Sequence, residues 1–436
     1  MPIHSRYLTA RTILFCAVFS LFGTAIARPC LAETSLTPEI NVRSTWNDNL
    51  FLKKFNSVEV KTEPALATRY KSEQLELGLN ARLADFRYFD TKNNYLSDGK
   101  KINTNEYDRT TYQTDSMLSY QATERLGLSI GGGWGQDYSV DSYWDDSRNE
   151  QFLLKRDSYN ANTNFSYELT EVDSLSLGAA YAGMSYDRCI ENFADYKMVN
   201  VNTSWQHMML DGTLALVSQA SWQHVEFDSP EIERDKWIFG IQNTKQDIYQ
   251  DVFTGMLGVY WMPLEKFTMQ AMAGANYTSS SIDTDTTVRG SLFAPDSFTG
   301  ETQNHYKTGF TGMFDAAFKE KEYSLRFSAK QEFLPSTYGE LRKTTSLGLN
   351  VYYELTENST TFTSLDFSRS KSDNITNNKI DRDFWRVSTQ YRYRFTKEFD
   401  MRLSYVFQYY DNKAEDYTRK ANSVYFQLAY QLPLHF

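Results

Sequence analysis

Past its N-terminal segment the chain has no apolar run of the roughly 18 residues that a membrane-crossing helix needs. Cysteine and histidine are scarce, with three and five residues. Cys16 and Cys30 lie in the N-terminal segment and Cys189 stands alone, which excludes a disulfide framework and a cysteine metal site. His4 is in the same segment, His207 and His224 fall at opposite ends of successive strand-like runs, and His305 and His435 are isolated. No nucleophile can be set beside a base from these positions, and no haem motif, zinc spacing or phosphate loop occurs. We therefore expect no enzyme, cofactor or metal. Basic residues are also in deficit, at a net charge of -10, which argues against a nucleic-acid partner.

Aromatic residues are abundant, at 15 % of the chain with 30 Tyr and 29 Phe. They fall in runs of strict alternation. Leu126, Leu128, Ile130, Gly132 and Trp134 share one face of a strand, and Trp385, Val387, Thr389, Tyr391, Tyr393 and Phe395 share one face of another. A helix, with its period of about 3.6, could not segregate these residues. The run from Tyr425 to the end places Phe426, Leu428, Tyr430, Leu432, Leu434 and Phe436 at every second position. Such a segment shows lipid one side and water the other, and its terminal Phe resembles the assembly signal of bacterial outer-membrane β-barrels.

At the other end, Arg6 and Arg11 precede an apolar stretch from Ile13 to Ile26, with Ala-x-Ala-like sites at Ala25/Ala27 and Cys30/Ala32. This reads as a cleaved secretory signal over residues 1–32. Arg28-Pro29 is a poor context for a lipidated Cys30. Removing the three Arg of this segment leaves 42 basic against 55 acidic residues and a charge of about -13. Residues 33–436 are expected to form one domain, with a first strand near Thr37 that would leave no room for an N-terminal plug.

Connections between the alternating runs are short and long in turn. The short ones repeat an aromatic followed by a polar turn, as in Tyr120-Gln-Ala-Thr-Glu124, Tyr167-Glu-Leu-Thr-Glu171, Tyr353-Glu-Leu-Thr-Glu357 and Tyr393-Arg-Phe-Thr-Lys397. Short periplasmic turns and longer extracellular loops are the asymmetry of outer-membrane barrels. The fold class is therefore all-β: an antiparallel up-and-down transmembrane barrel of about 18 strands, both termini periplasmic. The longest connections, Phe89–Asp108 and Ile282–Asn304, are read as loops able to fold inward. Acidic residues of the outward loops, including Asp141, Asp145, Asp146 and Glu150, read as solvated loop charges.

A barrel of roughly 16 to 18 strands leaves an aqueous channel, whereas one of about eight fills with side chains. Alternation puts Arg43, Arg69, Glu76 and Arg82 of the first strands inside. On the C-terminal third the inward set includes Arg326, Lys330, Glu332, Glu354, Asp366, Arg386, Arg392, Arg394 and Arg402. Arg walls facing carboxylates would orient dipolar or anionic solutes. Inward Tyr260, Tyr352, Tyr410 and Tyr425 either stack on sugar rings or fill space.

At Asn47-Asp48-Asn49-Leu50-Phe51, after the alternating run from Ile40 to Trp46, the chain resembles the outer-membrane β-barrel porin 2 family. The resemblance implies a bacterial outer-membrane barrel, often associated with exopolysaccharide secretion, with no catalytic residues. Expected partners are outer-membrane lipid and lipopolysaccharide, the barrel-assembly machinery and periplasmic export subunits. The expected function is a channel for hydrophilic solutes or a polysaccharide chain. The alternatives are a structural or adhesive barrel with a blocked lumen, or the sheath of an electron-transfer or export complex.

Overall fold

The computed structural model describes residues 33–48, 56–90, 107–138, 155–187, 194–228, 232–236, 240–289, 297–336, 341–372 and 380–436. The expected signal segment, Cys189, Asn49 to Phe51 of the family motif and the acidic residues 141–150 lie outside them.

Among the described residues the regular elements are strands apart from short 3-10 turns: β1 Glu33–Asn47, β2 Ser57–Lys71, β3 Leu75–Asp90, β4 Arg109–Thr123, β5 Leu126–Tyr138, β6 Lys155–Glu168, β7 Asp173–Tyr186, β8 Asp195–Met209, β9 Leu214–Asp228, β10 Ile232–Lys236, β11 Gly240–Leu264, β12 Phe267–Arg289, β13 Ser297–Lys319, β14 Tyr323–Pro335, β15 Leu341–Thr356, β16 Ser359–Ser372, β17 Asp381–Arg394, β18 Phe399–Asn412, β19 Tyr417–Gln431 and β20 Leu434–His435. β10 prolongs the β9 side of the wall along β11, and β20 prolongs β19 along β1, so 18 strands make the wall. Each pairs antiparallel with its sequence neighbour, and β1 pairs with β19 from Glu39↔Gln431 to Asn47↔Ser423, which closes the sheet. Phe436 completes the closure, its N–H donating to the Thr34 carbonyl at 2.9 Å. A closed sheet leaves no edge for its backbone groups to go unpaired.

β1 starts at Glu33, ahead of the expected Thr37. Pro38 hid the extension, since a proline in a run argues against a paired strand. Here Pro38 keeps its acceptor, taking the Leu432 N–H at 3.0 Å.

The repeated short turns have a local cause. The threonine in each closes the turn with its hydroxyl: Thr170 Oγ1 accepts the N–H groups of Val172 and Asp173 at 3.2 and 2.9 Å. Thr396 does the same for Glu398 and Phe399, Thr356 for Ser359, and Thr123 for Arg125. A threonine side chain that satisfies turn donors offers an alternative to continuing the ladder, so the strand stops there. The preceding tyrosines, Tyr120, Tyr167 and Tyr353 among them, remain exposed on the outside of the wall.

Outward positions are apolar along most of the wall: Ile40, Val42 and Trp46 on β1, Leu403 and Tyr405 on β18, Val424 and Phe426 on β19 are all exposed. The six alternating residues from Phe426 to Phe436 share this face.

At the long-connection end the expected loop Ile282–Asn304 is instead mostly strand, because β12 runs to Arg289 and β13 starts at Ser297. From Ser279 to Thr287 and from Thr299 to Lys307 the sequence is mainly hydroxyl, amide and charged. No apolar side remains to alternate, so the period of two is invisible there although the ladder continues. β13 then pairs with β14 only over Met313–Lys319.

Candidate functional site: the barrel lumen

Facing inward from β1 to β6 and from β17 to β19 is a cavity of about 560 Å³, bordered by Arg43, Glu59, Lys61, Glu63, Arg82, Arg109, Asp115, Asp137, Arg386 and Tyr425 among others. Period-two geometry explains the gathering: consecutive odd positions of β1, β2 and β4 and even positions of β3 and β17 all point into it.

The cavity wall is braced by a chain of charge-assisted bonds. Glu59 accepts Arg43 Nη2 at 3.0 Å and the Tyr88 hydroxyl at 2.6 Å, and that hydroxyl accepts Arg109 Nη1 at 2.7 Å. The Arg109 guanidinium lies over the Phe86 ring at 4.2 Å. Tyr88 is almost fully buried, and buried polar groups must be paired in this way. Arg156 grips Asp137 through Nε at 2.5 Å and Nη2 at 2.9 Å. Arg82 differs: among the described residues no carboxylate is paired with it, and its side chain stands exposed in the cavity.

The C-terminal arginines do not form a bare cationic stripe. Arg392 faces Arg402 in register, and both hydrogen-bond Asp400, the latter through Nε at 2.8 Å. Asp400 is nearly fully buried beneath them. Arg386 stands opposite Asp366 across the β16–β17 ladder. Arg326 pairs with Asp315 at 2.9 Å and Lys330 with Glu332 at 2.8 Å. Glu354 lies near the short-turn end of β15 and Arg394 at that end of β17, where Arg394 has no carboxylate partner among the described residues. On the early strands Arg69 pairs with Glu76 at 2.6 Å.

Asp400, Glu59, Lys61, Glu63 and Arg109 were not singled out from the sequence. Asp400 shares the parity of Arg402, so the same alternation would have found it. Of the inward tyrosines, Tyr425 borders the cavity and its hydroxyl accepts Gln390 Nε2 at 3.1 Å. Tyr410 instead packs with Phe384, Ala421 and Tyr417, filling space.

Beyond the Asp137–Arg156 pair, the adjoining stretch of wall from β5 to β8 presents amides and small residues. Asn160, Asn162 and Asn164 on β6 lie beside Gly133, Gly131 and Ser129 of β5, and Asn202 lies beside Gly178 of β7. A Cβ on Gly131 or Gly178 would meet those amides at 2.9 and 2.8 Å, so the amides lie flat over bare backbone. The lumen thus presents ions on one stretch of its wall and amide hydrogen-bonding groups on the next.

On a third side the lumen is closed. Val225, Phe227, Ile248, Val252, Ile282 and Leu341 form a buried cluster, with Phe333 packed against it. These residues face inward on β9, β11 and β12, and the end of β14 and start of β15 lean across onto them.

No protein-family model matches the chain, and no curated protein matches it in sequence. In fold outline it is similar to the ferric-catecholate import receptor Fiu from E. coli, with TM-score 0.49 and 8 % identity over 90 % of this chain and 81 % of that one. It is similar also to the ferric yersiniabactin uptake receptor FyuA from Yersinia pestis, with TM-score 0.49 and 10 % identity over 89 % of this chain and 65 % of that one. OpdK from Pseudomonas aeruginosa, solved with vanillate, gives TM-score 0.41 and 10 % identity over 92 % and 99 %.

Proposed function

We propose that the protein is an outer-membrane channel that passes hydrophilic solutes, with the short turns and both termini in the periplasm. The observation that carries this reading is a polar cavity of about 560 Å³ inside a closed barrel whose outer face is apolar. Lipid favours the apolar face and water the lined interior. The amide wall of β5 to β8 suits hydroxyl-rich solutes, a glycan chain included, because amides donate and accept without fixing a charge. The adjoining ionic wall sets charge preference. The chain acts as a conduit rather than an enzyme, in contact with outer-membrane lipid and lipopolysaccharide and, for polymer export, with periplasmic subunits.

The test is planar-bilayer conductance of the refolded protein under a salt gradient. Steady steps with a finite reversal potential are expected. A folded but silent barrel would favour the second reading, a plugged structural or adhesive barrel, to which the apolar closure around Leu341 lends weight.

A further inference from the structure

The tetrapeptide Ser-Trp-Gln-His occurs twice on neighbouring strands, ending at His207 on β8 and at His224 on β9. In both copies the histidine stands directly opposite an aspartate of the adjacent strand, Asp173 of β7 and Asp251 of β11. In both the Nδ1 to Oδ1 distance is 2.9 Å. The tryptophan two residues earlier stacks on the imidazole, with ring centroids 5.8 and 6.0 Å apart. The Asp251 oxygen also accepts the Trp222 indole N–H at 2.9 Å, and the other Asp173 oxygen accepts the Thr170 hydroxyl at 2.9 Å.

Both constellations face outward, on the side of the exposed Trp205, Leu216 and Trp222. Because β8 and β9 are antiparallel, each Trp lies toward the middle of the wall and each His toward its edge. His207 is level with Leu216 in register, so the stretch from Leu216 to His224 separates the two histidines. At about 3.4 Å per residue that is roughly 27 Å along the strand. With the tilt of about 40° usual in such barrels it becomes about 21 Å along the axis, near the ~25 Å height of an apolar band.

A carboxylate and an imidazole facing hydrocarbon would be unfavourable, whereas at the two edges of the band they meet head groups. Holding Nδ1 against the carboxylate fixes the ring and leaves Nε2 outside that bond. We propose that the two Trp-His-Asp clusters are paired clamps on the head-group regions of opposite leaflets, which set the depth of the barrel in a phospholipid bilayer. This rests on the membrane reading above.

The test is thermal stability of the refolded protein, read by heat-modifiability on gels, in phosphatidylcholine vesicles of graded acyl-chain length. The wild type should show an optimum at one thickness. Replacing both His207→Leu and His224→Leu should flatten that optimum or move it by at least one step of chain length. An unchanged profile would mean the pairs only lock neighbouring strands, and would overturn the proposal. If this variant does not fold, Trp205→Phe with Trp222→Phe keeps the rings without their N–H groups and must move the optimum instead, or the proposal fails. A wild type that inserts at no thickness would refute the membrane reading itself.

Discussion

Gln250 on β11 accepts, through Oε1, the backbone N–H of Leu341 at the start of β15, at 2.6 Å. Three strands separate the two along the wall, so the bond spans the inside of the barrel as a chord. The Gln250 amide donates onward to Ser280 Oγ at 3.1 Å, and both Gln250 and Leu341 are buried. A polar bond inside an apolar cluster thus fixes where the β14–β15 end leans in.

Replacing Gln250→Leu leaves the Leu341 N–H without its acceptor, a loss of about 1–3 kcal/mol for a buried donor. The lean should loosen and the lumen widen. Single-channel recordings are expected to show larger and noisier steps than wild type; steps of identical size would show that the strap does not limit the pore.

Arg82 should dominate charge selectivity. Arg392 and Arg402 share the buried Asp400, so removing one leaves the carboxylate held by the other. Arg82 has no such partner among the described residues and borders the cavity. Arg82→Ser is expected to move the reversal potential toward cations by more than Arg392→Ser does. The opposite order would place the selectivity region near the short-turn end of β17.

The closed barrel was legible because lipid and water impose a period of two on most of the wall, as in Trp385 to Phe395. On Ser279 to Thr287, where hydroxyl and charged residues occupy both faces, the period vanished, and from Ile282 on a strand read as a loop. The lumen was legible as parity but not as pairing. Alternation placed Arg392 and Arg402 inside, yet only the register, which sets them opposite each other beside Asp400, shows them sharing one carboxylate. The lean of Leu341 onto Gln250 joins residues far apart in sequence and left no local signal.

Asp195 and Asp228 face each other at the outer ends of β8 and β9, beyond Trp222 along the wall. Burial, and then the Asp228 charge, push the Asp195 carboxyl above its ordinary range, although it accepts the Tyr186 N–H at 2.9 Å. The folded state therefore binds this proton more tightly than the unfolded chain does. Stability should rise as pH falls from neutral through the raised folded pKa and level off below about 4, the unfolded value. Asp195→Asn keeps an acceptor for Tyr186 and removes the like charge. It should be more stable than wild type at neutral pH by up to about 1 kcal/mol and lack the acid-side rise. Urea unfolding in vesicles at a series of pH values measures both; parallel curves for the two proteins would refute the assignment.

Two glycines that look alike in sequence should respond very unequally to a methyl group. A Cβ on Gly274 of β12 would overlap the carbonyl oxygen of Gly255 on β11 and come within 2.7 Å of the Met256 Cα. These are backbone atoms of the paired strand, so no rotamer relieves the clash and the ladder itself must part. A Cβ on Gly131 would touch only side-chain atoms of Asn162, which can swing into the lumen. Gly274→Ala is expected to destabilise the barrel by about 1–3 kcal/mol, the range for overpacking. Gly131→Ala should stay within about 0.5 kcal/mol. Urea midpoints of the two variants in the same vesicles decide it. Equal shifts would mean that β11 and β12 part readily, and that their close approach is not what holds this side of the wall together.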